Sequence, residues 1–249
     1  MRQMDYTVLR NNMLTPNIFE LILHAPGQEP PQPGQFVNVQ IDGQYLRRPI
    51  SVCDWTHDTL TLIYKVVGEG TAKLAKLRQG TTLNLLANLG NGFTVQKHRG
   101  YALVVGGGVG CPPLFGLIKT LRAQGRRVVA IFGFNTAADI FYLDRFCTLC
   151  QDVHITTVDG STGTRGFVTD ALPLLPRRPA ALYACGPMPM LRALYDAAPA
   201  LPPGFAQFSF EERMACGFGA CMGCSCQTKE GSKRICKDGP VLLKEEIVW

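Results

Sequence analysis

Charge, histidine and unbroken hydrophobic runs are all scarce in this chain, and each shortage excludes something. Charged residues make up 18% of the 249, and the net charge of +6 comes from scattered Lys and Arg side chains. No basic stretch is interleaved with aromatics, which argues against nucleic acid as the main partner. The four histidines are dispersed, without the spacing of a metal site or a catalytic triad. The longest weakly polar stretch, residues 101–118, reaches the length of a membrane span, but three consecutive glycines and Pro112-Pro113 interrupt it. Strand, loop and helix is the reading there, and no membrane association is expected. The first residues, MRQMDYTVLRNN, lack a basic start followed by an apolar core. No signal peptide is read, and a reducing cytoplasm is the expected location. At 46% hydrophobic the chain can bury a core, and its length suits two modest domains with a small appendage.

Cysteine is what the chain has in plenty. Five of the ten fall between Met214 and Cys236, and four of them read Cys216-x4-Cys221-x2-Cys224-x11-Cys236. That rhythm is the plant-type ferredoxin spacing, in which three thiolates on a glycine-rich loop and a fourth from downstream hold a two-iron cluster. Gly217, Gly219 and Gly223 suit a backbone that must wrap a cluster through positive φ angles. Two other fates for these thiols are weighed against it. Disulfides need an oxidising compartment, which the N-terminal residues do not suggest. A structural zinc site also takes four thiolates, but zinc ribbons pair two Cys-x2-Cys knuckles and this segment has one. Cys226 stands two residues past Cys224, so in an extended segment one of the two faces the metal. Cys224 keeps the x4-x2 rhythm and is taken as the ligand, with Cys226 as its alternative.

Along residues 5–97 short β-like runs alternate with turn residues, and the pattern predicts an antiparallel barrel with one short helix over residues 71–77. After Gly100 the texture becomes strand, glycine loop and helix in succession. Strands are expected at YALVV, VVAIFGF, HITTVDG and ALYACG, with helices after the glycine loop and over residues 139–149, 168–175 and 188–197. The fold class is therefore β plus α/β and multidomain: a barrel over 1–99, a doubly wound parallel sheet over 100–205, and a small cysteine segment over 206–249. A proline-rich piece, residues 199–203, reads as the linker into the last segment.

Arg48-Pro49-Ile50-Ser51, Ile63-Tyr64-Lys65 and Gly70-Thr71 stand out in the barrel region. Arg48 offers a planar fork of donors suited to a diphosphate, and Gly70-Thr71 opens a helix whose amides attract anions. At these spacings they resemble the FAD-binding domain of the ferredoxin reductase superfamily, which implies a flavin held by this strand. Many such reductases carry an aromatic where Ile50 stands, and Tyr64 is the substitute considered for stacking. Gly106-Gly107-Gly108-Val109-Gly110 follows a strand and opens a helix at Pro112-Pro113, where bare amides can approach a pyrophosphate. It departs from the Rossmann fingerprint, because Cys111 takes the third glycine's place and no acidic residue ends the next strand. It resembles the superfamily's dinucleotide loop, with Cys185-Gly186 as the matching wall beside the nicotinamide. No basic residue near Asn135 suits a 2′-phosphate, which favours NADH. Cys147 and Cys150 are read as packing residues, and Trp249 is considered as a flavin cover without further support.

The order of barrel, glycine-loop domain and cysteine loop, with RRPIS, IYKVVGEGT, LGNGF, GGGVG, CGP and ERMACGFGACMGC, resembles the electron transfer subunits of dihydroorotate dehydrogenase B over nearly the full length. The resemblance implies FAD, a 2Fe–2S cluster and NAD. It also implies an FMN-containing catalytic dihydroorotate dehydrogenase subunit as partner in a heterotetramer, acting in pyrimidine biosynthesis. Chemistry supports the same set, since nicotinamide exchanges hydride, a cluster exchanges single electrons, and flavin converts between them. That upstream machinery gives a cluster work that redox-inert zinc could not do. No residue is expected to act as general acid, because dehydrogenation belongs to the partner. Other readings are a reductase subunit of a hydrogenase or ferredoxin-linked transhydrogenase complex, and a structural zinc-binding interaction module.

Overall fold

The structure, a computed structural model, describes residues 2–27, 29–175, 178–198 and 200–249. Six strands, β1 (Arg2–Thr15), β2 (Ile18–His24), β3 (Phe36–Val39), β4 (Arg48–Trp55), β5 (Thr59–Lys65) and β6 (Thr82–Leu89), close into an antiparallel barrel in the order β1-β2-β5-β4-β3-β6. Alternate residues point inward. Tyr6, Val8, Leu21, Leu23, Val37, Val39, Leu62 and Leu85 fill the interior. The short helix α1 (Glu69–Leu74) lies between β5 and β6, two residues earlier than the sequence suggests at its start and three at its end.

Next come β7 (Tyr101–Gly107), α2 (Pro112–Ala123), β8 (Arg127–Phe134), α3 (Leu143–Leu149), β9 (Asp152–Thr157), β10 (Thr164–Arg165), β11 (Ala181–Cys185), α4 (Met188–Ala197) and β12 (Ala206–Ser209). Their sheet runs β10-β9-β8-β7-β11-β12 with all neighbours parallel. Both faces are covered, as a parallel sheet requires. Ala102 and Val104 pack with Leu114 and Leu117 of α2 on one face, while Leu103 and Val105 pack with Leu191 and Leu194 of α4 on the other. The helix expected over 139–149 begins only at Leu143, because Tyr142 takes a left-handed φ of 61° that breaks the run from Asp139. The 168–175 helix is a 3₁₀ segment, Val168–Leu174, with Pro173 inside it. Pro199 of the linker lies outside the described residues.

The cysteine segment is less separate than its composition suggests. The sheet continues past residue 205 through β12, and the segment itself returns β15 (Val241–Leu243) as an antiparallel strand on β12. The remainder is an open loop and a hairpin of β13 (Ser225–Thr228) and β14 (Gly231–Arg234). Cys224, Ile235 and Cys236 join the apolar cluster of Phe36, Leu103 and Phe208, so barrel, sheet and cysteine segment share one core.

Barrel and sheet also meet directly. A Cβ on Gly116 would collide with the Trp55 ring, so the bare Cα lets α2 lie against β4. Around this contact Lys119 Nζ pairs with Asp54 at 2.5 Å, and Arg145 reaches Glu20 at 3.4 Å while its guanidinium lies 4.4 Å from the Tyr142 ring centre. Among the described residues no helix is long and apolar enough to cross a membrane.

Candidate functional site

Three groups of sequence-predicted residues can now be placed. The first sits on β4, β5 and α1. Arg48 folds its guanidinium against the start of α1, where a Cβ on Gly70 would lie 2.7 Å from Nε and 2.9 Å from Cζ. Arg48 Nη2 donates to Gln44 Oε1 at 2.6 Å and Nη1 to the Leu46 carbonyl, while Gln44 Nε2 donates to Glu69 at 3.1 Å. Thr71 Oγ1 accepts the N–H groups of Val67 (2.9 Å) and Gly68 (3.2 Å), which fixes the turn entering α1. Pro49 is exposed and Ser51 half-buried on the outer side of β4, and Lys65 is exposed at the end of β5. Arg48 and the Gly70-Thr71 turn are thus in contact, with Pro49 and Ser51 following Arg48 along β4. If Arg48 grips a diphosphate with both arms of its fork, Arg48→Lys keeps the charge but loses the second arm. FAD affinity is then expected to fall about tenfold, roughly 1.4 kcal/mol, when apoprotein is titrated with FAD.

One aromatic expectation is corrected. Tyr64 does not offer its ring to a flavin. Alternation along β5 turns it inward with Leu60 and Leu62, where it is 4% exposed, stacks on Phe19 at 5.9 Å and donates its hydroxyl to Asn11 at 3.1 Å. That burial raises the phenol's pKa. Ile50 likewise packs in the barrel interior, and Ile63 belongs to the apolar cluster under α2 with Cys53 and Leu114. Trp249, 37% exposed, meets Tyr195 edge-on (5.9 Å) and lies tilted against Phe210 (5.6 Å) at the surface beside α4.

The second group lies at the carboxyl ends of β7 and β11. Strand order reverses between these two, which is where open α/β sheets bind ligands. The glycine loop and the Cys185-Gly186 wall touch backbone to backbone. A Cβ on Gly110 would stand 2.6 Å from the carbonyl carbon of Cys185 and 2.6 Å from Gly186 Cα. Gly107 and Gly186 both face Met190, where a Cβ would lie 2.5 Å from its sulfur and terminal methyl respectively. Gly106 is closed in by Cys111 and Phe132, while Gly108, at φ +52°, opens onto free space. That bare face is the one a pyrophosphate can approach. Burial pushes the Cys185 thiol up to about 12, so it stays protonated at neutral pH. Cys147 is exposed on α3, and burial pushes Cys150 up to about 12, the behaviour of an inert thiol.

The third group is the cysteine loop. The N–H groups of Ala220 and Cys221 donate to Cys216 Sγ at 3.3 and 3.5 Å, and the Cys236 N–H donates to Cys224 Sγ at 3.4 Å. Burial raises the Cys216 thiol, but N–H donors from Cys221, Phe218 and Ala220 together with the Cys221 thiol outweigh it and bring it to about 6. Burial, with the Cys224 thiol hydrogen-bonded beside it, pushes Cys236 up to about 12. The four thiols thus form two pairs, Cys216 with Cys221 and Cys224 with Cys236. Among the described residues, no three His, Cys, Asp or Glu side chains form a group that could hold a single metal ion. A two-iron cluster calls for pairs, because four thiolates are shared between two irons, and N–H donors to sulfur are among the features that set its potential. The residues present therefore fit that group.

Gly217 (φ 77°) and Gly219 (φ 90°) supply left-handed turns, but Gly223 does not, and Met222 (φ 61°) takes that role beside it. Cys224 is buried against Cys236, while Cys226 sits on β13 opposite Lys233.

Sequence reasoning missed two asparagines that dock the loop. Asn91 of the LGNGF stretch donates from Nδ2 to the carbonyls of Asp238 (3.2 Å) and Val241 (2.8 Å), and accepts the Val241 N–H at 2.9 Å, clamping the chain just after Cys236 to the barrel. Asn38, 1% exposed on β3, donates from Nδ2 to the Cys216 carbonyl at 3.2 Å. A signal for Asn38 existed, since an amide in the run Phe36-Val37-Asn38-Val39 breaks a strand otherwise wholly apolar.

Comparison with known proteins agrees with this geometry. Residues 211–248 match the family model described as the iron-sulfur cluster binding domain of dihydroorotate dehydrogenase B, and residues 104–196 match the oxidoreductase NAD-binding domain. The chain is 42% identical over 257 residues to the dihydroorotate dehydrogenase B (NAD(+)) electron transfer subunit of Lysinibacillus sphaericus (strain C3-41), covering 99% of this chain and 98% of that one. The corresponding subunit of Listeria monocytogenes is 40% identical over 256 residues, covering 99% of each. Among solved structures, one of an NADH-dependent reduced ferredoxin-NADP oxidoreductase superposes with a TM-score of 0.87 at 27% identity, over 98% of this chain and 90% of that one. A ferredoxin NADP+ reductase from Neisseria gonorrhoeae shares the fold, with a TM-score of 0.69 at 17% identity over 79% of this chain and 90% of that one. The chain belongs to the family of dihydroorotate dehydrogenase B (NAD(+)) electron transfer subunits.

Proposed function

We propose that this protein passes electrons taken from dihydroorotate by a catalytic, FMN-containing partner subunit to NAD+, within pyrimidine biosynthesis. The observation that carries the reading is the docking of the Cys216 loop on β3, the strand that pairs with Arg48–Ser51 of β4. The proposed one-electron site and flavin strand would thereby be neighbours over one shared core. When bound, FAD exchanges single electrons with a 2Fe–2S cluster and hydride with nicotinamide. The chain's own residues position these groups. Cys216, Cys221, Cys224 and Cys236 would hold the cluster, with Cys226 on β13 less suited because it stands outside the two pairs. Arg48, Pro49, Ser51, Ile63, Lys65, Gly70 and Thr71 would hold FAD, with Ile50 and Tyr64 contributing backbone from a barrel wall whose side chains turn inward. Gly106, Gly107, Gly108, Gly110, Cys185 and Gly186 would seat NAD at the switch point.

Cys221 is exposed, and Phe218 and Met222 beside it are 43% and 53% exposed, which gives the partner an apolar face next to the cluster. Assembly as a heterotetramer in the cytoplasm belongs to this reading. Hydrogenase and transhydrogenase roles are less well supported, because the relatives matched end to end are dihydroorotate dehydrogenase subunits. A zinc module would need four thiolates around one ion, a grouping not found among the described residues. Anaerobic addition of dihydroorotate to the complex of this chain with its copurifying flavoprotein should bleach the flavin bands, and NAD+ should restore them. A complex that dihydroorotate leaves oxidised, but that hydrogen or reduced ferredoxin bleaches, overturns the assignment.

A further inference from the structure

We infer that Asn38 is a positioning residue for the cluster, setting the peptide between Cys216 and Gly217 and with it the potential at which the cluster takes an electron. The inference rests on the cluster reading above and goes beyond its ligands. Asn38 lies between the two halves of the relay. Its backbone pairs with Pro49 on one side and Leu86 on the other, and its carbonyl accepts from Arg47 Nη1 at 3.3 Å, so the residue is fixed in the barrel wall. Its side chain, 1% exposed, reaches out of that wall and donates from Nδ2 to the Cys216 carbonyl at 3.2 Å.

Two further observations show that the contact is built rather than incidental. The amide oxygen, Oδ1, is buried and finds no hydrogen-bond partner among the described residues, so the side chain is held there by what its NH₂ group does. Turning the amide over would set Oδ1 against the Cys216 carbonyl, two acceptors face to face, so the donor assignment is fixed by chemistry. Gly217 is also fitted to Asn38. Any Cβ at that position would run into Nδ2, and Gly217 holds φ at 77°, where glycine is at ease. The turn at Gly217 then carries the chain round so that the N–H groups of Ala220 and Cys221 point back at Cys216 Sγ. A donor on the Cys216 carbonyl orders this turn and places the positive end of an N–H dipole beside a site that gains negative charge on reduction.

The consequences separate from those of a simple packing residue. Asn38→Asp keeps the shape but offers an acceptor to a carbonyl, and Asn38→Leu keeps the volume without any donor. Asn38→Ser restores a short donor. With the complex of full-length chain and partner, FAD content reports whether the barrel has folded. Iron loss to a chelator reports cluster retention, and an EPR-monitored redox titration reports the potential. Both Asp and Leu variants are expected to retain FAD, to lose iron about tenfold faster than the parent, and to shift the cluster potential to more negative values, with Ser between them and the parent. Parent-like potential and iron loss in Asp and Leu overturn the inference. So does parallel loss of FAD and iron in all three, which makes Asn38 a barrel-folding residue. An iron-free parent protein would instead overturn the cluster reading itself.

Discussion

Cys216→Ser is expected to leave a yellow protein that has lost its iron, cannot accept electrons from its partner, and still oxidises NADH when an artificial acceptor such as ferricyanide is supplied. Burial alone disfavours a thiolate at Cys216, yet backbone N–H groups of Cys221, Phe218 and Ala220 bring its pKa to about 6, so the thiolate prevails at neutral pH. A serine hydroxyl in the same place keeps its proton and offers iron a harder, weaker ligand. With one pair broken, the proposed ligands Cys224 and Cys236 would hold at most one iron. Partner-driven NAD+ reduction should then fall to background, while FAD content and NADH–ferricyanide activity stay close to the parent's. Iron analysis, EPR and the two assays run side by side decide it. If both activities collapse together with FAD still bound, the cluster does not stand between partner and flavin and the order of the relay is wrong.

What could be read directly from the sequence was whatever depends on neighbours along the chain. The cysteine rhythm, the glycine loop before Pro112-Pro113 and the β-to-α/β change after Gly100 are short-range patterns, and the structure shows a barrel, a doubly wound sheet and paired thiols at those places. What escaped depends on which side of a wall a residue faces. Tyr64 looked available to a flavin because it follows Ile63 in a motif, but period-two alternation from Leu60 and Leu62 puts it inside the barrel. The left-handed turn expected at Gly223 is made by Met222 instead. Cys53 follows the inward-facing Val52 and so turns to the apolar cluster under α2, while the bulge between Val52 and Asp54 sets Asp54 opposite Thr61, a change of register that no local pattern announces.

The cysteine segment shows the same division on a larger scale. Its chemistry stands out in sequence, whereas its attachment does not. Three residues, Val241–Leu243, are too few to signal a strand, yet they extend the sheet at β12 and fix the segment to the nucleotide-binding half. Asn38 and Asn91 fix it to the barrel half. The electron path therefore depends on long-range hydrogen bonds from residues that lie 178 and 150 positions away from the groups they hold. Side-chain chemistry says what can be bound, and these contacts say how far apart the bound groups will be.

Gly110→Ala should produce the converse of Cys216→Ser: electrons enter but do not leave. Gly110 is not a conformational glycine, since its φ is outside the left-handed region. It is needed for space. An added methyl would meet the main chain of Cys185 and Gly186, with Cys185 C and Gly186 Cα both at 2.6 Å, and main chain cannot rotate away as a side chain would. The glycine loop and the Cys185-Gly186 wall must then separate, at a cost of about 1–3 kcal/mol for overpacking. Their separation opens the seat proposed for the dinucleotide. Hydride transfer tolerates little misplacement, and an error of about 1 Å lowers rates on the order of 100-fold. The complex carrying Gly110→Ala should retain FAD and iron and bleach fully with dihydroorotate under anaerobic conditions, yet recover its colour with NAD+ about 100 times more slowly than the parent. A variant that melts lower but reoxidises at the parent rate would show that Gly110 serves packing alone and that the nicotinamide lies elsewhere than between these two backbones.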